Sequence, residues 1–268
     1  MLFGLAFGSF LNVCIVRLPR HRSIVRPGSA CPSCGAAIRV SDNLPVLSWI
    51  ILRGRCRACR WRIPWRYPAV EIATAALFLL AYLRYGLTIA GAGAAVLSFL
   101  LLGLAVMDAE TMRLPDAFTL PGIVLGIAYA GIVAAAPNQA GFRDDLTVSV
   151  SGTVARACLQ AALWAICAAL LIFLIRWIYY ALRHREGMGL GDAKLLAMIA
   201  AWLGPALTAL TFVLGTFAAA VFGLALAARS HGRPGHARLA FGSFLCAAAL
   251  YALFAGQPIV TWYMSFFK

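Results

Sequence analysis

Residues 89–106 read IAGAGAAVLSFLLLGLAV, eighteen residues without a charge, and Met107-Asp108 follows at once. A helix needs about 20 predominantly apolar residues to cross the hydrocarbon of a bilayer, so this run reads as a membrane span that ends on a carboxylate. Comparable runs occupy about 2–16, 68–85, 117–136, 157–180, 193–205, 206–228 and 239–256. The whole chain is 63% hydrophobic and 12% charged, more apolar surface than a single soluble domain of 268 residues can hide. The expected fold is therefore an all-α membrane protein, a bundle of about eight transmembrane helices in a lipid bilayer, with a polar insertion after the first of them. No tandem repeat or low-complexity tract is apparent.

Net charge is +14, which on a soluble chain would raise nucleic acid as a partner. Placement decides against it. Eleven of the 23 basic residues lie between Arg17 and Arg66, and of all 23 only Arg84, Arg143, Arg156 and Lys268 fall near or in segments that alternation of the spans places outside. This is the positive-inside signature of a membrane protein, with both termini outward and a hydrophilic outward loop over 137–151 that holds Asp144 and Asp145. Residues 2–16 are not a signal peptide by pattern, because no basic segment precedes them and Arg17 and Arg20 follow. Fifteen residues are short for a span, so tilt, inward packing of Ser9 and Asn12, or missing N-terminal residues are expected.

The insertion over 17–67 carries prolines at 19, 27, 32, 45 and 64 and four paired cysteines. Cys31-Pro32-Ser33-Cys34 and Cys56-Arg57-Ala58-Cys59 are two C-x2-C pairs separated by 21 residues, the spacing of a four-thiolate zinc site. A redox relay is the alternative, disfavoured by a cytoplasmic setting in which disulfides do not persist. A structural zinc would replace the core that so short a segment cannot build. Cys14, Cys158, Cys167 and Cys246 lie in or beside spans and read as packing residues.

Of only nine acidic residues, Asp108 and Asp192 lie where spans meet the inner interface. A carboxylate so near hydrocarbon is costly, and either one alone could be a helix cap or an interface anchor. Gly189 and Gly191 ahead of Asp192 favour function, because glycine lets a backbone leave helical geometry and approach a substrate. By itself Gly-x-Gly-Asp is a weak pattern.

Taken together, the motifs are specific. Asp108 with Leu114-Pro115-Asp116, then Gly189-Leu190-Gly191-Asp192-Ala193-Lys194-Leu195, resemble the two active-site motifs of prepilin leader peptidases, bacterial members of the Gly-x-Gly-Asp membrane aspartic proteases. Gly8-Ser9-Phe10-Leu11-Asn12-Val13 through Arg17-Leu18-Pro19, the paired cysteines, Arg66-Tyr67-Pro68-Ala69-Val70-Glu71, and Phe241-Gly242-Ser243-Phe244-Leu245 extend the resemblance over nearly the whole chain. Ala240 and Ser243 stand where relatives usually carry proline, a departure expected not to touch the chemistry, and the outward loop before the fifth span looks longer.

The resemblance implies a catalytic dyad of Asp108 and Asp192 rather than Asp116, whose family position can hold asparagine. It also implies cleavage of the basic leader of type IV prepilins or pseudopilins at the inner (cytoplasmic) membrane of a bacterium. Members with this cysteine segment are usually bifunctional and methylate the new N-terminal residue with S-adenosylmethionine. No soluble dinucleotide-type fingerprint marks a cofactor site. Glu71 could face a second pocket or pair with Arg66. The expected division is 1–16 first span, 17–67 cytoplasmic zinc segment and 68–268 peptidase core. The alternatives are a peptidase without methyl transfer and, from another class, an ion-coupled transporter, whose acids would sit at midplane within inverted repeats.

Overall fold

The computed structural model describes residues 1–136, 142, 153–184, 189–229 and 239–266, with only the backbone of Val40 and Ser41. Apart from Phe142, the expected outward loop with Asp144 and Asp145 lies outside the described residues, as do residues 185–188 and 230–238. Among the described residues the regular elements are helices, and pairing of extended backbone is limited to two isolated bridges. Seven helices among the described residues are long and apolar enough to cross a membrane, which makes this a multi-pass membrane protein.

The chain divides into two compact units, Met1–Gly86 and Leu87–Lys268. In the first, α1 (Leu2–Arg17) packs along α3 (Arg66–Tyr85), with the short α2 (Leu47–Ile51) in the insertion between them. Gly4 and Gly8, four residues apart, make the close approach possible. A Cβ at Gly4 would stand 2.6 Å from the Ala75 Cα, and one at Gly8 would stand 2.6 Å from the Glu71 Cα. This is how helices associate in lipid, where small residues let backbones meet. Asn12 packs inward as expected, 3% exposed, its Nδ2 donating to the Tyr67 carbonyl at 3.0 Å.

The second unit contains α4 (Ile89–Thr111), α5 (Asp116–Ala135), α6 (Val154–Arg183), α7 (Leu190–Leu203), α8 (Pro205–Arg229) and α9 (Phe241–Ser265). At 14 residues α7 is the short eighth apolar helix, and Leu195–Leu203 is buried without a break. A helix apolar on every face belongs inside a bundle, and α7 packs against α5, α6, α8 and α9. It ends at Gly204, whose φ of 79° lies in the region glycine favours, and Pro205 opens α8. Across α5, Trp202 donates its indole N–H to the Gly122 carbonyl at 2.8 Å and stacks on Tyr129 at 5.2 Å.

Several helices outrun their apolar runs. The sequence places Asp108 in a polar loop, but α4 continues to Thr111 and stops at Met112, whose N–H donates to the Asp108 carbonyl at 2.8 Å. Hydrophobicity marks where lipid ends, whereas the helix persists until Pro115 and a left-handed residue forbid it. Similarly α9 runs on to Ser265 through Pro258, well past the expected end near 256.

Candidate active site and cysteine cluster

Asp108 lies 5% exposed near the end of α4, and α9 comes to meet it. Its Oδ2 accepts the Ser243 N–H at 2.7 Å and lies 3.2 Å from the Ser243 Oγ, which itself donates to the Ala105 carbonyl at 2.8 Å. The expected irrelevance of Ser243 is therefore overturned: the residue at the third position of α9 holds the buried carboxyl. First-turn N–H groups lack the usual partner four residues back, and the Ser243 N–H is shared between Asp108 and, at 3.2 Å, the Ala240 carbonyl.

Asp192 sits in the first turn of α7, half-buried. The Gly189 N–H donates to its Oδ2 at 3.3 Å, and the Asp192 N–H donates to the Gly189 carbonyl at 3.3 Å, so the side chain caps its own helix. Leu114 packs against the glycine beside each acid, Gly191 and Gly242. Its side chain would meet a Cβ at Gly191 at 3.1 Å and a Cβ at Gly242 also at 3.1 Å, where Asp108 Oδ2 would be 3.0 Å away. Asp108 and Asp192 lie within electrostatic reach of each other, and the fully buried Cys246 feels both.

Gly189, the N-cap with φ −77° and ψ 151°, leaves helical geometry as expected, whereas Gly191 does not. Gly191 lies inside α7, and neither uses a conformation reserved for glycine. Gly191 is small because Leu114 occupies the place of its side chain. Asp116 is exposed and pairs with Lys194 at 2.6 Å, the ordinary arrangement of a surface acid. The sequence placed Leu114 in a motif with Asp108, and Ser243 in a family segment, but it gave no sign that Leu114 packs against Gly191 and Gly242 or that Ser243 meets Asp108, because those contacts join segments remote in the chain.

In the first unit the Sγ atoms of Cys31, Cys34, Cys56 and Cys59 lie within 4.8 Å of one another, and Cys31 and Cys59 are 3.7 Å apart. Tetrahedral zinc with Zn–S bonds of about 2.3 Å has edges of roughly 3.8 Å, so the four sulfurs could hold a zinc ion. The Cys31 thiol is pulled down to about 7, chiefly by the backbone N–H of Cys34, while Cys34, against the pull of the Ala36 N–H, is pushed up to about 11 by its neighbours Cys59 and Cys31, so Cys31 is the thiol that ionises first of the two.

Each pair sits in a turn of the same construction. Cys31 N–H donates to the Ala36 carbonyl and Ile38 N–H to the Ser29 carbonyl; Cys56 N–H donates to the Trp61 carbonyl and Ile63 N–H to the Gly54 carbonyl. Gly35 and Arg60 occupy equivalent positions at φ 71° and 60°. A local duplication thus exists that the sequence did not reveal. Arg57 clamps Asp42 through two contacts of 2.8 and 2.6 Å, holding the Asp42 carboxyl below its usual range. Glu71 is 8% exposed and accepts the Val46 N–H at 2.7 Å, while Arg66 lies over the Tyr67 ring at 4.6 Å.

A helical membrane protein that keeps a carboxyl buried at one helix end, with a second within reach, has the makings of a membrane-embedded acid–base centre. Its relatives agree in kind. Residues 2–85 match the bacterial peptidase A24 N-terminal domain and residues 94–224 match the type IV leader peptidase family. A prepilin leader peptidase/N-methyltransferase of Pseudomonas putida is 34% identical over 96% of this chain and 89% of its own length. One from Pseudomonas aeruginosa is 32% identical over 99% and 92%, and one from Neisseria gonorrhoeae is 34% identical over 83% and 80%. No solved structure matches the chain. The chain belongs to the type IV leader peptidase family.

Proposed function

We propose that this chain removes the basic leader of type IV prepilins or pseudopilins at the cytoplasmic face of the bacterial inner membrane, and then N-methylates the new N-terminal residue with S-adenosylmethionine. The observation that supports the peptidase reading is that Asp108 and Asp192 come within electrostatic reach of each other in the second unit, with Leu114 packed against the glycines next to them, Gly191 and Gly242. Two carboxyls brought together over a scissile bond cannot both ionise easily, so one would stay protonated near neutral pH while the other acts as base. The ionised member takes a proton from water, which attacks the scissile carbonyl. The protonated member stabilises the oxyanion, and the leaving amine is protonated as the bond breaks. The proton belongs to the pair rather than to a named residue.

Cys31, Cys34, Cys56 and Cys59 would bind one structural zinc that organises the insertion. When bound, S-adenosylmethionine supplies an electrophilic methyl carbon, and methyl transfer has to follow cleavage because cleavage creates the amine. The test is incubation of purified, membrane-reconstituted protein with a prepilin and mass spectrometry of the product. The expected result is a shortened pilin, heavier by one CH2 group when S-adenosylmethionine is present. An intact prepilin would overturn the peptidase reading, and an unmethylated cleaved product would overturn the second activity alone.

A further inference from the structure

Within the first unit a cavity of about 510 Å3 lies between the two cysteine turns and the facing ends of α1 and α3. This is inside the roughly 300–1,000 Å3 range of small-molecule sites. The aromatic residues Trp49, Trp61 and Tyr67 line it, and Asn12 and Glu71 add polar groups from the helices. Both polar residues are more than nine-tenths buried, and Asn12 Oδ1 has no hydrogen-bond partner. Glu71 accepts hydrogen bonds from the Val46 N–H and the Ser9 hydroxyl, but no Lys or Arg pairs with it among the described residues. Packing alone does not call for such a cavity floor, since an orphaned acceptor and a carboxylate without a cation both cost stability. The loop side shows the same expense: Val46, β-branched, takes φ 61° to present its N–H to Glu71.

A cation with an apolar, aromatic-stacking body would complete such a site. We propose that this cavity binds S-adenosylmethionine, with the Glu71 carboxylate facing the sulfonium, an aromatic wall against the adenine, and Asn12 Oδ1 accepting from an amino group of the cofactor. The proposal rests on the methyl-transfer reading above and locates it. In the reaction the pilin amine, having first released a proton to water, forms a bond to the methyl carbon as the carbon–sulfur bond breaks. The positive charge passes from sulfur to nitrogen, and a neutral thioether remains. A carboxylate at Glu71 therefore holds the charged donor more tightly than the thioether product, which favours exchange after each turnover.

Charge selectivity supplies the test. Full-length protein in nanodiscs is titrated by equilibrium dialysis with labelled S-adenosylmethionine and, separately, with S-adenosylhomocysteine, alongside zinc analysis and methyl transfer to an already cleaved pilin. Glu71→Gln keeps an acceptor for Val46 but removes the charge. It is expected to weaken the sulfonium ligand by about tenfold or more and the thioether by less than about threefold, as loss of one buried ion pair predicts. Ala36→Phe fills the cavity at a position whose counterpart in the second turn already carries Trp61, and should abolish binding of both ligands while zinc content is kept. Equal weakening of both ligands by Glu71→Gln would reduce Glu71 to a latch for Val46 and overturn the proposal. So would unchanged binding in Ala36→Phe. If the unaltered protein neither binds the donor nor methylates the cleaved pilin, the methyl-transfer reading itself fails. If it does both and the two variants match it, only the location is wrong.

Discussion

Gly191→Ala and Gly189→Ala should have unequal consequences, although the two glycines belong to one motif. A Cβ at Gly191 would lie 3.1 Å from Leu114 Cβ and 3.2 Å from its Cδ1. Ordinary carbon contacts are about 3.5–4.0 Å, so Leu114 has to move by roughly 0.5 Å. Its Cδ1 is already packed where a Gly242 side chain would be, next to Asp108, so the movement is transmitted toward the buried carboxyl. Overpacking of this kind costs about 1–3 kcal/mol, and the helix-interior gain of alanine over glycine returns about 1 kcal/mol. Net stability therefore falls by no more than about 2 kcal/mol.

Activity should fall further than stability. A 1 Å misplacement of reacting groups can cost about 100-fold, so half that shift predicts roughly tenfold loss in cleavage rate for Gly191→Ala. At Gly189 the nearest atom to a new Cβ is Asp192 Oδ2 at 3.5 Å, the φ of −77° suits alanine, and the N–H to Asp192 survives. There the cost is an N-cap loss of about 0.5–1 kcal/mol, with cleavage kept within about threefold. Initial rates of prepilin cleavage by reconstituted variants, with thermal unfolding measured in parallel, decide the matter. Loss of cleavage in Gly189→Ala with full activity in Gly191→Ala would refute the packing account and restore the idea that the glycines exist for backbone access.

Asp108→Asn and Asp192→Asn should each abolish cleavage while leaving membrane insertion intact; Asp116→Asn should retain it, because Asp116 is exposed and paired with Lys194. Loss with Asp116→Asn but not Asp108→Asn would mean the wrong acid is assigned. Metal analysis should find about one zinc per chain, and since zinc takes thiolates, retention should weaken as the solution is acidified. Zinc-free protein, or a disulfide among these four in reducing cells, would sink the metal site. Arg60→Gly should raise thermal stability of the first unit by about 1 kcal/mol by relieving a left-handed non-glycine residue; a lowered midpoint would show that the arginine side chain matters more than its backbone. Replacing Cys34 or Cys59 by serine should impair methylation of the mature pilin more than its cleavage, read by mass; fully methylated product from zinc-free variants would break that link.

What the sequence made legible follows from which forces are local. Apolar runs located the spans, because transfer of about 20 residues into hydrocarbon outweighs any single contact. Helix ends were less legible: Asp108 belongs to α4 because the helix breaks at Met112, not where hydrophobicity stops. The cysteine spacing announced its own geometry, since four ligands on one ion leave few arrangements. The matching hydrogen bonds of the two cysteine turns stayed hidden, because little beyond the cysteines and Ile38 with Ile63 is shared in sequence. Leu114 and Ser243 stayed hidden for a different reason. Their roles are defined by what another helix brings against them, and no periodicity within one element encodes that.

Ser243 shows how such a contact can matter at the level of single hydrogens. Its hydroxyl has one hydrogen, and the Ala105 carbonyl takes it at 2.8 Å, yet the same Oγ lies 3.2 Å from Asp108 Oδ2. An ionised Asp108 leaves that second contact without a hydrogen unless the first is shared. A protonated Asp108 closes it by donating to Oγ, completing a chain from carboxyl to serine to backbone. The Ser243 N–H at 2.7 Å works the other way, because a donor aimed at a carboxylate favours the ionised form. One residue therefore offers partners to both charge states of the acid. If Asp108 is one of the catalytic pair, it would pass through both states in every cycle, and a support that fits only one would hold it there. Proline, which relatives usually carry at this position, supplies neither the N–H nor the hydroxyl. In this chain the serine therefore adds to the setting of Asp108 something that the Gly-x-Gly-Asp motif does not specify.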